Sequence, residues 1–280
     1  MIKKIGFIGQ GWIGKNYADD FEERGFEVVR YALEEPYILN KSAIAECDIV
    51  FIAVPTPTTP KGFDDSIVRD AIKLIGVGKV AVIKSTILPG TTESIQAENP
   101  NIFVFHSPEF LSVSTAQEDA RKPQRNIIGV PVDDQIYRDK ANEILSVMPQ
   151  ADFSLITAAK EAELFKYLRN CFFYTKIIYM NMLYDLAEKI GCDWEVLKTI
   201  MANDPWIGKM HIDPVHKSGR GASGGCFIKD FSALRGFYNQ RINNDKSNEV
   251  FNSLEQKNLE LLFNSEKDLE LLKTVYGDIF

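Results

Sequence analysis

Short apolar runs alternate with amphipathic stretches through the first half of the chain. Six of these runs have the length and the β-branched content of strands, and helical patterns separate several of them. The middle runs are apolar on both sides, as strands are when helices cover both faces of a parallel sheet. The predicted strands are residues 4–8, 28–31, 49–54, 80–83, 102–106 and 126–130, and a seventh near residues 152–155 completes the sheet.

The second half of the chain has a helical period instead. Residues 157–190 contain no Gly or Pro, and a helix of that length is longer than most helices of globular domains. A second helix is predicted at residues 194–202, then a Gly-, Pro- and His-rich loop at residues 203–225, and a polar helical tail at residues 248–276. We therefore predict an α/β fold: a Rossmann domain with a doubly wound parallel sheet over residues 1–156, and an all-helical domain over residues 157–280.

The long helix also indicates a partner subunit. Such a helix either spans two domains or packs against another copy, and symmetry favours a homodimer. Burial within one subunit is the alternative, because the apolar residues of the helix recur at helical spacing. Those residues are Phe165, Leu168, Phe172, Ile177, Met180, Leu183 and Leu186.

The charge balance excludes some classes of protein. The chain has 280 residues, a net charge of -7 and a pI near 5.2, whereas a nucleic-acid-binding domain usually has a basic face. No window reaches the roughly 18 apolar residues of a membrane span, and the first apolar run stops at Gly9, too early for a signal peptide. We expect a cytoplasmic protein with a small-molecule substrate and no membrane or nucleic-acid partner.

The cysteines do not form a metal-binding or disulfide pattern. There is no CxxC pair and no His at zinc-finger spacing, so we predict neither a disulfide framework nor a metal site. Three cysteines are interpreted as small buried hydrophobic residues, namely Cys47, Cys171 and Cys192. Cys226 differs because Ser223, Gly224 and Gly225 precede it.

A glycine-rich string follows the first predicted strand and opens the first predicted helix. Glycines at the spacing GxGxxG permit a tight turn, a close approach of the backbone to a pyrophosphate, and close packing of helix on strand. The helix N-terminus then offers backbone N–H groups to the anion. The string predicts a dinucleotide site formed by Gly9, Gly11, Trp12, Ile13 and Gly14.

The residue that selects between NAD and NADP is less regular. An acidic residue that binds the adenosine ribose is expected at the end of the second strand, but Ala32 stands there. Glu34 or Glu35, just beyond, would substitute for it in an NAD site, whereas Arg30 would favour the 2′-phosphate of NADP. NAD is favoured and NADP stays open.

Three further segments contain candidate catalytic groups. Glu109 follows a predicted strand, at the edge of an open α/β sheet where ligands bind. Lys166 and Asn170 are four residues apart on the long helix, so they share a face. Small residues before Cys226 give a substrate close access to its thiol, and Asp230 follows about one turn later.

Together these segments resemble the UDP-glucose/GDP-mannose dehydrogenase family. The strings of that family read roughly GxGYVG, VPTP, STVxPGT, NPEFL, AExxKYxxNxxxxxKI, DPRIG and GxGGSCFPKD. The matching strings here occur in the same order: GQGWIG (9–14), VPTP (54–57), STILPGT (85–91), SPEFL (107–111), AELFKYLRNCFFYTKI (162–177), DPWIG (204–208) and GASGGCFIKD (221–230). Such a series is far more specific than any one string alone.

The resemblance implies a reaction and a role for each group. Family members oxidise a primary alcohol of a nucleotide sugar to a carboxylate, using two nicotinamide cofactors in succession. Thr86 and Asp230 would hold the water that takes the hydroxyl proton. The thiolate of Cys226 would attack the aldehyde, giving a thiohemiacetal and then a thioester. Lys166 and Asn170 would stabilise the oxyanion. Glu109, with Asp230 and Thr86, would handle the water that hydrolyses the thioester.

The resemblance also implies further contacts with the cofactor, and each assignment has a plainer alternative. Lys166 would be a solvated helix residue, Glu109 a cap for the turn after Pro108, Thr86 an ordinary residue at a strand end, and Asp230 a cap of the following helix. The implied cofactor contacts are Val54, Pro55, Thr56, Ser85, Thr86 and Lys229.

Four features depart from the family pattern. The sequence ends about fifty residues after Cys226, whereas the family has a third domain that grips the nucleotide diphosphate, so we expect a form without it. Trp206 stands at the family arginine of DPRIG, which reaches the sugar of a neighbouring subunit. Segment 32–48 is short, and the loop before Cys226 has extra residues that would contact phosphate or sugar, including His211, His216 and Arg220.

Two other functions stay open. A 3-hydroxyacid or 6-phosphogluconate dehydrogenase also joins a Rossmann domain to a long helix with a Lys-x-x-x-Asn pair, but it transfers one hydride and needs no thiol. A non-catalytic truncated relative would act as a cofactor-binding or partner subunit. A requirement for Cys226 separates the first reaction class from the second.

Overall fold

The computed structural model describes residues 3–242 and 244–278. The chain divides into two compact units. Unit 1 consists of Met1–Thr56 and Asp64–Lys166, and unit 2 consists of Pro57–Phe63 and Tyr167–Phe280. Each unit has its own hydrophobic core.

Unit 1 contains a seven-stranded sheet in the order β2-β1-β3-β4-β5-β6-β7. The sheet confirms the predicted α/β class, and the observed strands differ from the predicted ones by a few residues at their ends. They are β1 (Lys4–Ile8), β2 (Glu27–Tyr31), β3 (Ile49–Ile52), β4 (Val80–Ile83), β5 (Phe103–His106), β6 (Arg125–Val130) and β7 (Phe153–Ala158). The predicted domain boundary, after residue 156, lies inside β7.

The helices of unit 1 connect these strands. The last of them, α6, has 32 residues and continues into unit 2. Two 3₁₀ helices, Tyr37–Glu46 and Val113–Thr115, accompany the α-helices. The α-helices are α1 (Trp12–Glu23), α2 (Ser66–Ile72), α3 (Thr91–Glu98), α4 (Ala116–Arg121), α5 (Gln135–Val147) and α6 (Ala159–Ile190).

The predicted parallel sheet contains one antiparallel pair of strands. Strands β5 and β6 are antiparallel, with His106 opposite Gly129, whereas the other neighbouring pairs are parallel. A parallel neighbour requires a crossover, usually through a helix on one face of the sheet. The helix in this connection, α4, packs beside α1 instead. Apolar patterning reports burial but not strand direction, so it did not reveal this reversal.

The core of unit 1 explains why the middle runs are apolar on both sides. Every residue of β3 and of β4 is buried. The rings of Phe7, Phe21 and Phe51 lie 5.2–5.4 Å apart, which joins β1, α1 and β3. Because the strand surfaces are covered in this way, polar groups that belong to unit 1 collect at the ends of the strands.

One buried carboxylate connects α6 to the N-terminus of α3. Glu163 Oε2 accepts a hydrogen bond from the Gly90 N–H (2.6 Å), and its Oε1 accepts from the Thr92 N–H (2.8 Å) and Oγ1 (2.6 Å). Burial raises the pKa of Glu163 from 4.5 to about 7, although these hydrogen bonds act in the opposite direction. Glu163 therefore joins the AExxK string to the STxxPGT string.

Within the described residues, unit 2 contains the rest of α6 and four more helices. Its core includes Tyr174 of α6, whose ring stacks on Phe231 with a centroid distance of 3.9 Å. Two antiparallel pairs of two-residue strands also occur, Thr58–Thr59 with Gly62–Phe63 and Val215–His216 with Gly219–Arg220. The helices are α7 (Trp194–Asn203), α8 (Gly225–Arg241), α9 (Asp245–Asn264) and α10 (Leu269–Tyr276).

The structure of unit 2 differs from the sequence predictions at four points. The loop predicted at residues 203–225 contains a hairpin, and helix α8 was not predicted because glycines begin it and Gly236 interrupts its pattern. The helical tail is interrupted at residues 265–268, where Glu266 and Asp268 have positive φ angles. The prediction that Cys192 is buried is wrong, whereas Cys47 and Cys171 are buried as predicted.

The apolar residues of α6 divide between two faces. Ile177 and Met180 are buried in unit 2, whereas Leu168, Phe172 and Leu186 belong to an exposed stripe. Each residue of this stripe is between 51% and 65% exposed. No described helix is long and apolar enough to cross a membrane. The stripe consists of Leu168, Phe172, Tyr179, Met182, Leu186 and Ile190.

Glu163 provides a pH test of this fold. Because its folded pKa lies above 4.5, the folded state binds the proton more tightly than the unfolded state. Its contribution to stability is therefore present below about pH 4.5 and is lost as the pH rises toward 7. We expect Glu163→Gln to reduce that loss, by on the order of 2 kcal/mol, in urea unfolding between pH 5 and 8.

The matched control is Glu161→Gln, which changes an exposed residue in the same turn of α6. We expect this variant to keep the pH dependence of the wild type. Equal pH dependence in wild type and Glu163→Gln would contradict the assigned role of Glu163.

Candidate functional site

The GxGxxG string occupies the turn from β1 to α1, as predicted. A Cβ atom on Gly9 would lie 2.4 Å from Ala53 O, and one on Gly14 would lie 1.9 Å from Gly9 O, so both positions require glycine. A Cβ atom on Gly11 would meet open space, and no side chain caps α1. This cradle fits the pyrophosphate of a dinucleotide, because space and helix N–H groups are available together.

The other predicted cofactor residues of unit 1 lie after β3 and β4, which are neighbouring parallel strands. Ser85 Oγ donates to Val54 O (2.7 Å), and Thr56 Oγ1 donates to Thr86 O (2.7 Å). Pro55 lies between Val54 and Thr56 and is exposed. These bonds join the VPTP string to the STILPGT string at the carboxyl edge of the sheet, where ligands of open α/β sheets bind.

The environment of Arg30 weakens the case for NADP. Its guanidinium donates to Glu22 (2.7 and 2.9 Å) and lies 2.7 Å from Asp19 Oδ1. Two carboxylates therefore already neutralise the cation that would bind a 2′-phosphate. Glu34 and Glu35 are exposed beyond β2 and remain the candidates for the ribose contact.

Glu109 is buried after β5 and has contacts on both carboxylate oxygens. Oε1 accepts from the N–H groups of Phe110 (2.6 Å) and Leu111 (3.1 Å), so the carboxylate does cap its own turn. Oε2 lies 3.0 Å from Lys84 Nζ, and Lys166 Nζ donates to the main-chain carbonyl of Glu109 (2.5 Å). The plainer interpretation of Glu109 as a cap thus describes one oxygen only.

In unit 2, Asp230 is the centre of a second polar group. Its Oδ2 accepts from Asn170 Nδ2 (2.7 Å), and its Oδ1 pairs with Lys229 Nζ (2.6 Å). Asp230 is 1% exposed and lies within α8, so the alternative that it caps the following helix is wrong. Both oxygens have donors, as a buried carboxylate requires.

Cys226 lies in the first turn of α8, and it is exposed. Gly224 precedes the helix with a φ of 86°, and no side chain caps the helix. The helix dipole favours negative charge at such a place. Burial raises the pKa of Cys47 to about 11 and raises that of Cys171 further, so neither thiol shares this environment.

The loop that leads to Cys226 is held by residues that the sequence analysis missed. Asn258 Oδ1 accepts from the Ala222 N–H (2.7 Å), and its Nδ2 donates to Ala222 O (3.0 Å). Asp268 Oδ2 accepts from the Gly224 N–H (2.6 Å), and Lys267 donates to the carbonyl of Gly219 (3.0 Å). No local motif marks these side chains, because their partners are far away in the sequence.

The extra loop residues have structural contacts. Arg220 pairs with Asp185 (2.7 Å) and donates to Asn181 (2.8 Å), so its guanidinium has its partners within unit 2. The ring of His211 lies 4.7 Å from that of Phe173, and burial lowers the pKa of His211. Among residues 3–242 and 244–278, no group of three or more His, Cys, Asp and Glu side chains is arranged to hold a metal ion.

Asn258 gives a test of how the loop is held. Replacing it with leucine removes both hydrogen bonds and leaves the Ala222 N–H and C=O groups without a side-chain partner. We expect a loss of stability of about 1–3 kcal/mol in urea unfolding and faster hydrogen exchange at residues 221–226.

Asn252→Leu is the control, since Asn252 lies on the same helix but is exposed. Unchanged exchange in Asn258→Leu would contradict the proposed support of the loop.

Two family profiles match the chain. The NAD binding domain of the UDP-glucose/GDP-mannose dehydrogenase family matches residues 37–146, and the central domain of that family matches residues 160–258. The chain is 32% identical over 208 residues to the putative UDP-glucose 6-dehydrogenase YtcA of Bacillus subtilis (strain 168), covering 70% of this chain and 47% of that protein. It is 31% identical over 241 residues to the UDP-glucose 6-dehydrogenase of Rickettsia prowazekii (strain Madrid E), covering 79% and 53%.

Solved structures show the same fold. A UDP-glucose dehydrogenase from the hyperthermophilic archaeon Pyrobaculum islandicum matches with a TM-score of 0.76 and 25% identity over 98% of this chain and 71% of that chain. A Mycobacterium tuberculosis 3-hydroxyisobutyrate dehydrogenase matches with a TM-score of 0.70 and 17% identity over 93% and 96%, which is a likeness of fold alone.

These matches agree with the ordered strings and with the GxGxxG cradle. The chain spans about half the length of the curated relatives it matches. The chain belongs to the UDP-glucose/GDP-mannose dehydrogenase family and contains its NAD-binding and central domains.

Proposed function

We propose that the chain is an NAD-dependent dehydrogenase that oxidises the C6 alcohol of a nucleotide sugar, of the UDP-glucose or GDP-mannose type, to the uronic acid. The observation that carries the proposal is the exposed thiol of Cys226 in the first turn of α8. Family membership and the GxGxxG cradle support the cofactor. The single-hydride alternative has no use for such a thiol.

The proposed chemistry assigns steps to residues of this chain. Bound NAD supplies the hydride acceptor for both oxidations. Asp230, through a water, takes the hydroxyl proton as the alcohol becomes an aldehyde. Cys226 then adds to the aldehyde carbon, and loss of the second hydride converts the thiohemiacetal to a thioester. Water cleaves the thioester, which releases the acid and restores the thiol.

The remaining residues keep the roles that the family resemblance implies. Lys166 and Asn170 stabilise the oxyanion of the thiohemiacetal, Thr86 orders the water of the first oxidation, and Glu109 takes the proton of the hydrolytic water. The hydrogen bond from Asn170 to Asp230 (2.7 Å) supports the proposed role of Asp230 as the base, because it fixes the position of the carboxylate.

The single-hydride dehydrogenase remains the second candidate. The observation in its favour is the likeness of fold to the 3-hydroxyisobutyrate dehydrogenase, with a TM-score of 0.70 over 93% of this chain. That class of reaction removes one hydride from a hydroxy acid and forms no bond to a cysteine.

The decisive experiment counts reduced cofactor per acid. Purified protein is incubated with NAD or NADP and with UDP-glucose, GDP-mannose or UDP-N-acetyl sugars, and we expect two NADH for each uronic acid. Cys226→Ala should lower acid formation on the order of a thousandfold or more. Cys192→Ala, which removes another exposed thiol of unit 2, should retain activity.

Other outcomes select the alternatives. One NADH per product from a 3-hydroxy acid, with full turnover in Cys226→Ala, would replace the proposal with the single-hydride reaction. Activity that requires the addition of a separate nucleotide-binding chain would indicate a partner subunit.

We also infer that the protein is a homodimer that packs through α6. The exposed stripe defined above, from Leu168 to Ile190, is a continuous apolar surface along one face of the helix. Monomeric proteins rarely expose such surfaces, and a second copy of the same helix offers a complementary one through symmetry.

The test is the mass in solution by light scattering. Met182→Glu with Leu186→Glu places two charges in the stripe, and we expect the dimer mass to fall to that of a monomer. Ile136→Glu, at a residue of α5 that is 52% exposed, should leave the mass unchanged. A monomeric wild type would refute the inference.

A further inference from the structure

A buried lysine that has no role in the proposed chemistry faces the carboxylate of Glu109. Lys84 follows directly after β4, and its side chain is 1% exposed, whereas that of Glu109 is 8% exposed. The distance from Lys84 Nζ to Glu109 Oε2 is 3.0 Å. A lone charge in this environment would be costly, so each group depends on the other for its charge.

The groups around Lys84 leave Glu109 as its counter-ion. Ser107 Oγ lies 3.3 Å from Nζ, and the ring of Tyr17 lies 4.4 Å away. Burial raises the pKa of Tyr17 well above 10, with Glu109 contributing, so the phenol is neutral. Burial, with Lys84 and then Lys166, lowers the pKa of His106 to about 3, so this imidazole is also neutral.

The two carboxylate oxygens of Glu109 differ in their hydrogen-bond partners. Oε1 accepts from two backbone N–H groups, those of Phe110 and Leu111. Oε2 has the ion-pair contact with Lys84, but no donor is oriented to form a hydrogen bond with it. Oε2 is buried, and its lone pairs accept no hydrogen bond, so it can accept a proton from a water molecule that reaches it while Lys84 stays next to it.

We propose that Lys84 is a positioning residue for Glu109, which neutralises the buried carboxylate and orients Oε2 toward the hydrolytic water. As that water attacks the thioester carbon, its proton passes to Oε2 and the thiolate leaves, and the ammonium of Lys84 keeps its proton throughout. The role of Glu109 in hydrolysis rests on the proposed function, whereas the pairing of Lys84 with Glu109 does not.

The kinetic test is a double-mutant cycle of Lys84→Met and Glu109→Gln. We expect Lys84→Met to lower kcat at least about tenfold with little change in KM, because a transition-state interaction is lost. In single turnovers it should still form NADH and accumulate the thioester. Once Glu109 is Gln, Lys84→Met should cause no further loss, whereas independent effects would multiply and would refute the proposal.

Two further variants serve as controls for the cycle. Lys84→Arg keeps the positive charge and should retain most of kcat, and a loss equal to that of Lys84→Met would contradict the proposal. Lys79→Met is the matched control at the other end of β4, where Lys79 pairs with Asp48 at 2.7 Å, and it should leave kcat unchanged. If Lys84→Met does not fold, Lys84→Gln replaces it in every comparison.

A second measurement does not depend on turnover, so it tests the pairing of Lys84 with Glu109 even if the proposed function is wrong. In protein labelled with ¹³C-glutamate, the carboxyl signal of Glu109 is assigned by its loss in Glu109→Gln. We expect an ionised carboxylate at pH 7 in wild type and in Lys84→Arg, and a neutral carboxyl in Lys84→Met. The same signal in Lys84→Met as in wild type would overturn the proposal, whatever the enzyme activity.

Discussion

A carboxylate that leaves water must find donors inside the protein, and this requirement connects the separate sequence strings of the chain. Glu163 accepts from the N–H groups of Gly90 and Thr92, Glu109 faces Lys84, and Asp230 accepts from Asn170. Two of these contacts join different strings, Gly90 of STILPGT with Glu163 and Asn170 with Asp230 of GASGGCFIKD, whereas Lys84 directly precedes the STILPGT string. The polar contacts within each unit follow from the need to satisfy buried charge.

Much of the fold could be predicted because burial on both faces leaves a clear apolar pattern. Strands β3 and β4 are fully buried, and both were placed from their sequence. The direction of β6 was missed, because an antiparallel strand has the same apolar residues as a parallel one. Helix α8 was missed for a different reason: Gly225 opens it and Gly236 interrupts it, so tertiary packing of Phe231 on Tyr174 outweighs weak helix propensity.

The candidate site could be predicted only where its residues lie in recognisable strings. Glu109 and Asp230 were named in this way, and both are buried; Asp230 has donors on both oxygens, and Glu109 on Oε1. Lys84 was not named, although a lysine directly after the apolar run VAVI is a signal, because a charge at a buried strand end needs a partner. Asn258 carried no signal, since its partner Ala222 is 36 residues away and an asparagine in a polar helix looks solvated.

The thiol and the acids of this chain need opposite surroundings. Cys226 is exposed and follows a run of small residues, whereas Asp230, in the same helix, is 1% exposed. A loop of small residues has few side chains of its own to define its conformation, so its conformation must be imposed by contacts from elsewhere. Asn258 and Asp268 impose it through the backbone of Ala222 and Gly224. Helix α9 and the turn after it therefore hold the loop that leads to Cys226, although both are far from this loop in the sequence.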